Sequence, residues 1–277
     1  MTIRVVTDST CDLMAETIQE HKIEVVPCYL NIRGRSYLDG IEYSREQFYR
    51  DLPGMETPPT TSAPGPEKFA AVYKKLIAEG ASAILSIHVN RQWSNMVNVA
   101  QLAAETIPSV PIKVIDSQQL SLSLGFLVQA AAEAANAGGN LSEIVAMLQE
   151  KITRTYTVAV LDTLEFLRRS GRATKLQAQL SIWLQLKPFI KIFKGEITLE
   201  PIRTRQKALQ RLTAWFHEHG PWERLAVVHT GAREYGEELW GRLLDYLPDV
   251  RRISVQVTPV IGAHAGPGAL GFCGVQA

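Results

Sequence analysis

"SAILSIHVNRQWSNMVNVAQLAAET", residues 82–106, sets a short apolar run, a polar turn and an amphipathic stretch side by side. "SAILSIHV" reads as a buried strand and "SNMVNVAQLAAET" as the helix that follows it. Ser94 is expected at the start of that helix, where free amides and the helix dipole favour an anion. A strand that feeds one helix is the repeating unit of a parallel sheet.

The same unit recurs on both sides. "IRVV" (3–6) is a strand, "CDLMAETIQEHK" (11–22) a helix and "IEVVPCYL" (23–30) a second strand. "SREQFYRDL" (44–52) carries Ser44 and Gln47 at capping-box spacing, so a short helix should begin there. "PEKFAAVYKKLIAEG" (66–80) puts Phe69, Val72, Tyr73 and Leu76 on one helical face and stops at Gly80. "IKVID" (112–116) is a strand, and an alanine-rich helix then runs to Gly138–Gly139. This half is expected to be an α/β domain with a parallel sheet and helices on both faces.

Asn140 and Glu143 form the next cap pair, and after that helix the rhythm changes. "TYTVAVL" (155–161), "LKPFIKIF" (186–193) and "EITLEPIR" (196–203) are strands, the last two joined by a tight Lys194–Gly195 turn that signals an antiparallel hairpin. "RQKALQRLTAWFHEH" (205–219) is a helix, and "RLAVVHT", "GEELWGRLLDYL" (236–247) and "RRISVQVTPV" (251–260) close the pattern. The expected division is an α/β domain over 1–153 and an α+β domain with a mixed sheet over 154–277.

A net charge of +1 with no basic run argues against nucleic acid or an acidic membrane surface as partner. The cysteines at 11, 28 and 273 show no metal or redox spacing and cannot all pair, which fits a reducing cytoplasm. "MTIRVVTDST" does not read as a signal peptide, and no run approaches the ~18 apolar residues of a membrane helix. Dinucleotide, P-loop, nucleophile-elbow and zinc-protease motifs do not occur.

Ligands of open parallel sheets sit beyond the carboxyl ends of the strands, where "TDST" (7–10), "NRQWS" (90–94) and "DS" (116–117) fall. Each also reads as a set of helix caps. "PPTTSAPGPEKF" (58–69) holds Thr60, Thr61 and Ser62 in a loop stiffened by prolines. In "PVIGAHAGPG" (259–268) His264 stands among residues with almost no side chain, as in a loop that lets a polar group come close. Thr61, Ser94 and His264 together offer donors suited to a carboxylate or phosphate. Ser94, His264 and Asp8 or Asp116 would also compose a serine hydrolase or acyltransferase triad. A binding module for another amphiphile is the third reading. "HEH" (217–219) is read as a helix end, and the tryptophans at 93, 183, 215, 222 and 240 as core or interface, Trp93 beside Ser94 drawing notice.

Taken in order, "VVTDSTCDL", "TTSAPG", "ILSIHVNRQWSNMVNVAQLA", "VIDSQQLSLSLG", "LDTLEFLRRSGR", "LKPFIKIFKGEI", "RTRQKAL" and "IGAHAGPGALG" resemble the DegV family across essentially the whole chain. The resemblance implies a long-chain fatty acid, such as palmitate or oleate, enclosed between two domains, with no cofactor, no metal and no chemistry of the protein's own. It implies a carboxyl group held at Thr61 and Ser94 beside His264. It also implies presentation of that group to a separate fatty acid kinase for acyl phosphate formation. Arg172 and Arg205 are expected either to dock such a kinase from the surface or to belong to a solvated face. The family's "SGT" is "SNM" here, "TSQPS" is "TSAPG", "HTGPG" is "HAGPG" and "GGR" is "SGR", so several neighbouring polar groups are missing.

Overall fold

The computed structural model describes residues 2–172, 186–243 and 252–277. Trp183, Arg251 and the end of the 236–247 helical pattern lie outside them. Strands β1 (Ile3–Asp8), β2 (Glu24–Val26), β6 (Ala83–His88) and β7 (Ile112–Asp116) form a parallel sheet in the order β2-β1-β6-β7. Every residue of β6 is buried, as a strand covered on both faces must be. Helices α3 (Pro66–Ala78) and α4 (Met96–Glu105) pack against each other and on the strand edges. Helix α5 (Ser121–Asn136) covers β1 and β6.

The stretch "IEVVPCYL" is two strands, not one. Pro27 has no amide to donate to a ladder, so the first sheet loses the chain at Val26. The chain resumes as β3 (Tyr29–Ile32), which pairs with β4 (Arg35–Leu38) and β5 (Thr60–Ser62) in a separate antiparallel sheet. The Thr60–Ser62 loop expected from its flanking prolines is therefore an edge strand. Helix α1 (Ala15–Glu20) is shorter than the 11–22 pattern because Ser9–Cys11 make a single 3-10 turn and Asp12 is left-handed at φ 53°. Helix α2 (Arg45–Asp51) starts where Ser44 accepts the Gln47 amide.

Helix α6 (Leu141–Ile152) opens on the reciprocal Asn140–Glu143 capping box. Then β8 (Thr155–Val160), α7 (Glu165–Ser170), β9 (Phe189–Phe193), β10 (Glu196–Glu200), α8 (Arg205–His219), β11 (Trp222–His229), α9 (Arg233–Leu243), β12 (Ser254–Gln256), α10 (Pro259–Ala265) and β13 (Leu270–Gln276) follow. Their strands form one sheet in the order β10-β9-β8-β13-β11-β12. The β11–β12 pair is parallel and the others antiparallel, which makes the sheet mixed. Lys194 and Gly195 turn the β9–β10 hairpin with φ of 50° and 78°. His219 ends α8 by bonding the Trp215 carbonyl at 2.9 Å, the helix-end role read from "HEH".

One face of the mixed sheet packs Val158, Leu225, Val227 and Phe272 on Leu212, Trp215 and Trp240 of α8 and α9. From the opposite face Ala226, Val228, Cys273 and Val275 enter the same hydrophobic core as Val5, Val6, Leu85 and Ile87 of the parallel sheet. Helix α5 lies between the two sheets, touching β1 and β6 on one side and β8, β11 and β13 on the other. Its Leu122, Leu124, Phe126, Leu127 and Val128 are all buried. "PVIGAHAGPG" is not a loop throughout, since residues 259–265 form α10 and only the residues after Ala265 are irregular before β13.

Candidate functional site

Strand order reverses between β1 and β6, because β2 lies on one side of β1 and β6 on the other. A crevice opens outside the carboxyl ends of strands at such a switch point. Thr10 and Val89, just beyond the ends of β1 and β6, line a cavity of about 650 Å³ that continues across the mixed sheet. That is within the ~300–1,000 Å³ usual for small-molecule sites.

The apolar wall is set by strand register. Ile190 of β9 pairs with Ala159 of β8, Ala159 with Gly271 of β13, and Gly271 with Val228 of β11, and all four line the cavity. Two small residues between two large ones make a trough across the sheet. At Gly271 a Cβ would lie 2.0 Å from the Val158 carbonyl oxygen, so no side chain fits there. Leu161, Ile192, Ile197 and Leu270 extend the wall.

Polar residues complete the lining. Thr61, Ser94, Trp93, Arg172 and His264 all line the cavity. Thr61 reaches it from the edge strand β5, held by its pairing with Leu30 of β3. Thr61 Oγ1 lies 2.8 Å from His264 Nε2, a hydrogen bond between residues 203 apart in sequence. Burial, reinforced by the Arg172 charge, lowers the His264 pKa from 6.5 to about 4, so the ring is neutral at pH 7. Its Nδ1 is buried and has no hydrogen-bond partner among the described residues. Ser94 does not open a helix as expected. It stands ahead of the Asn95 cap of α4, its amide bonded to the Asn90 carbonyl.

Arg172 is exposed at the cavity edge and bonds the Ser170 carbonyl. Arg205 is not among the lining residues. Its guanidinium sits 3.2 Å from the centre of the Tyr235 ring and pairs with Asp162 at 3.6 Å.

The acids proposed for a triad are engaged elsewhere. Asp8 accepts from His88 Nδ1 at 3.0 Å, from the Val89 amide and from both the amide and hydroxyl of Thr10. His88 continues to Ser86 at 2.7 Å and Ser86 to Tyr73 at 2.8 Å, a chain of groups shut off from solvent. Asp116 pairs with Arg91 at 3.2 Å and takes the Gln118 amide. No acid orients His264 among the described residues, and its Nε2 is committed to Thr61, so the Ser94–His264–Asp arrangement is not assembled. Four donors satisfy Asp8, and Thr10, which supplies two of them, itself lines the cavity.

Sequence reading missed the trough and the residues that anchor α10, Asp39, Arg45 and Thr258. The trough residues are ordinary apolar strand positions until pairing aligns them. The anchors join segments more than 200 residues apart and carry no local pattern.

A family model described as "Uncharacterised protein, DegV family" matches residues 2–277. A DegV domain-containing protein of Streptomyces coelicolor is 37% identical over 273 residues, covering 97% of this chain and 96% of that one. Among solved structures, a DegV family protein from Thermus thermophilus reported with fatty acid binding superposes with a TM-score of 0.92 at 31% identity. DegV of Bacillus subtilis, described as a fatty acid binding protein, gives 0.92 at 30%. Both comparisons cover 100% of each chain.

Proposed function

Because this chain belongs to the DegV family, we propose that it binds one long-chain fatty acid, of the palmitate or oleate kind, in the cavity between its α/β part (1–153) and its α+β part (154–277). The observation that carries this reading is one cavity lined both by an apolar trough and by the hydrogen-bonded Thr61–His264 pair with Ser94. Burying about 14 methylenes at ~0.8 kcal/mol each supplies on the order of 11 kcal/mol before the costs of association. The carboxyl group then needs donors enough to offset its desolvation. The Ser94 hydroxyl and the bonded Thr61–His264 pair supply them: with the ring neutral, that pair keeps one proton beyond its own bond, on the unpartnered Nδ1 when Thr61 donates to Nε2, or on the Thr61 hydroxyl when Nε2 donates to Thr61. Such a site uses no cofactor and no metal, and the protein acts as a carrier rather than a catalyst, in the cytoplasm where acyl groups are activated.

The carrier presents the acid to a separate fatty acid kinase. Phosphoryl transfer to a carboxylate brings two anions together, and positive or donor groups nearby offset their repulsion. Arg172, exposed at the cavity edge, is well placed to meet the kinase. Arg205, held by Tyr235 and Asp162, contributes charge at a fixed position on the neighbouring surface.

Native mass spectrometry of the purified protein, followed by solvent extraction, tests the binding step. One fatty acid per chain is expected. A protein that carries none and takes up neither palmitate nor oleate overturns the reading. With a purified kinase, Arg172→Ala should raise the carrier concentration needed for half-maximal acyl phosphate formation while lipid content stays unchanged.

A further inference from the structure

Helix α10, which carries His264, is short, and it is secured by side chains from distant parts of the chain. Asp39 follows β4 and is 2% exposed. Its Oδ2 accepts the Thr258 hydroxyl at 2.6 Å and its Oδ1 the Val260 amide at 3.3 Å, so one carboxylate holds both the cap residue and the first turn of α10. Asp12, fully buried, takes the Thr258 amide at 2.8 Å, and Arg45 and Ser121 hold Asp12 in turn. Tyr49 donates to the Val257 carbonyl at 3.0 Å. Both Asp12 and Ser121 adopt left-handed backbone at φ 53°, a conformation that costs energy for residues other than glycine and that collects at functional sites.

A buried carboxylate is expensive to keep unless hydrogen bonds or an opposite charge compensate its desolvation. Both oxygens of Asp39 bond the helix whose far end places His264 against Thr61, and the Ser9 hydroxyl also donates to this carboxyl. We propose that Asp39 is a positioning residue, which fixes α10 so that the His264 ring meets Thr61 and faces the ligand's head group. The head-group part of this inference rests on the fatty-acid reading above, whereas the placement of the ring does not.

The test uses Thr258→Val, which removes one donor to Asp39 and keeps the side-chain shape, together with Asp39→Asn, Asp39→Ala and Thr258→Ser. The imidazole ¹H–¹⁵N correlations of His264 are recorded in ligand-free protein. Affinities for cis-parinaric acid and for its methyl ester are measured by fluorescence. Thr258→Val and Asp39→Ala should move the His264 signals and reduce the preference for the acid over the ester about tenfold, the effect of losing one good hydrogen bond. Ester affinity should not change, and Thr258→Ser should restore both readouts. Asp39→Asn, which keeps one acceptor oxygen, should fall between. Folded Thr258→Val and Asp39→Asn proteins with parental His264 signals overturn the proposal. A parent that binds neither probe overturns the fatty-acid reading instead, and the His264 signals still decide the role of Asp39.

Discussion

At His264 two effects act in the same direction. Burial and the Arg172 charge both disfavour the protonated ring, which lowers its pKa from 6.5 to about 4. Protonating it therefore costs folded protein more than unfolded chain, and stability present above pH 6.5 is lost as the pH falls toward 4. Asp12 behaves in the opposite sense. Burial outweighs Arg45 and raises its pKa from 3.8 to about 6, so the folded state gains relative to the unfolded as the pH falls from 6 to 4. Across that window the two residues offset each other. Thermal melts of two variants against pH separate them. His264→Gln should gain on the parent as the solution is acidified from pH 6.5 to 4, and Asp12→Asn should fall further behind the parent over pH 6 to 4. For the ligand, Thr61→Ala and Ser94→Ala should each weaken fatty-acid binding by about 1–3 kcal/mol, through loss of a bond to a buried carboxyl group. Titration with oleate measures this, and parental affinity in both variants would place the carboxyl group elsewhere.

Among the elements, α10 shows why part of the site is hidden in the sequence. Gly262 and Gly266 in a stretch of alanines read as punctuation, yet 259–265 is helical because Asp39 and Asp12 cap it from across the molecule and because it packs on α2. Gly262 serves that packing, since a Cβ there would come 2.4 Å from the Tyr49 hydroxyl and 2.8 Å from the Phe48 ring. Gly262→Val should destabilise the protein by about 1–3 kcal/mol, the cost of overfilling a packed contact, and lower its Tm in calorimetry. By contrast, the alternation of β1, α3, β6, α4 and β7 is legible because each element carries its own periodicity and stop signal. The Asn140–Glu143 box and the Lys194–Gly195 hairpin are legible for the same reason: their partners lie within a few residues. Thr61, Ser94 and His264 stand out as polar residues in restricted or small-residue surroundings, and they do line one cavity. That Thr61 belongs to a strand is invisible locally, because the pairing partner is Leu30.

For the whole molecule, the cavity is bounded by a face of the mixed sheet and by the segments beyond the carboxyl ends of β1 and β6, and the trough in it follows from where small residues fall in register. Ala159 lines the trough with a small side chain, whereas at Gly271 no side chain fits. Ala159→Leu should fill part of the trough and weaken binding of oleate more than binding of a ten-carbon acid, while leaving the Tm of lipid-free protein within a few degrees of the parent. Competition titrations with acids of graded length check this, and an unchanged length preference would mean that the chain runs along another wall.

Helix α5 limits how such a cavity can be filled. It is a wall shared by both sheets, so the halves cannot swing apart like jaws without peeling it from one of them. Peeling it from either sheet would re-expose part of the row Leu122, Leu124, Phe126, Leu127 and Val128 at ~1.5–3 kcal/mol apiece, a cost of several kcal/mol against the ~5–15 kcal/mol that holds an ordinary domain folded. On the fatty-acid reading proposed above, exchange of the ligand is then expected through small displacements around Trp93, Ser94 and Arg172 of the lining, with the frame standing still. The release rate should accordingly respond to substitutions at those residues and be nearly indifferent to the buried seam, much as the traffic of a jar depends on its neck and not its base.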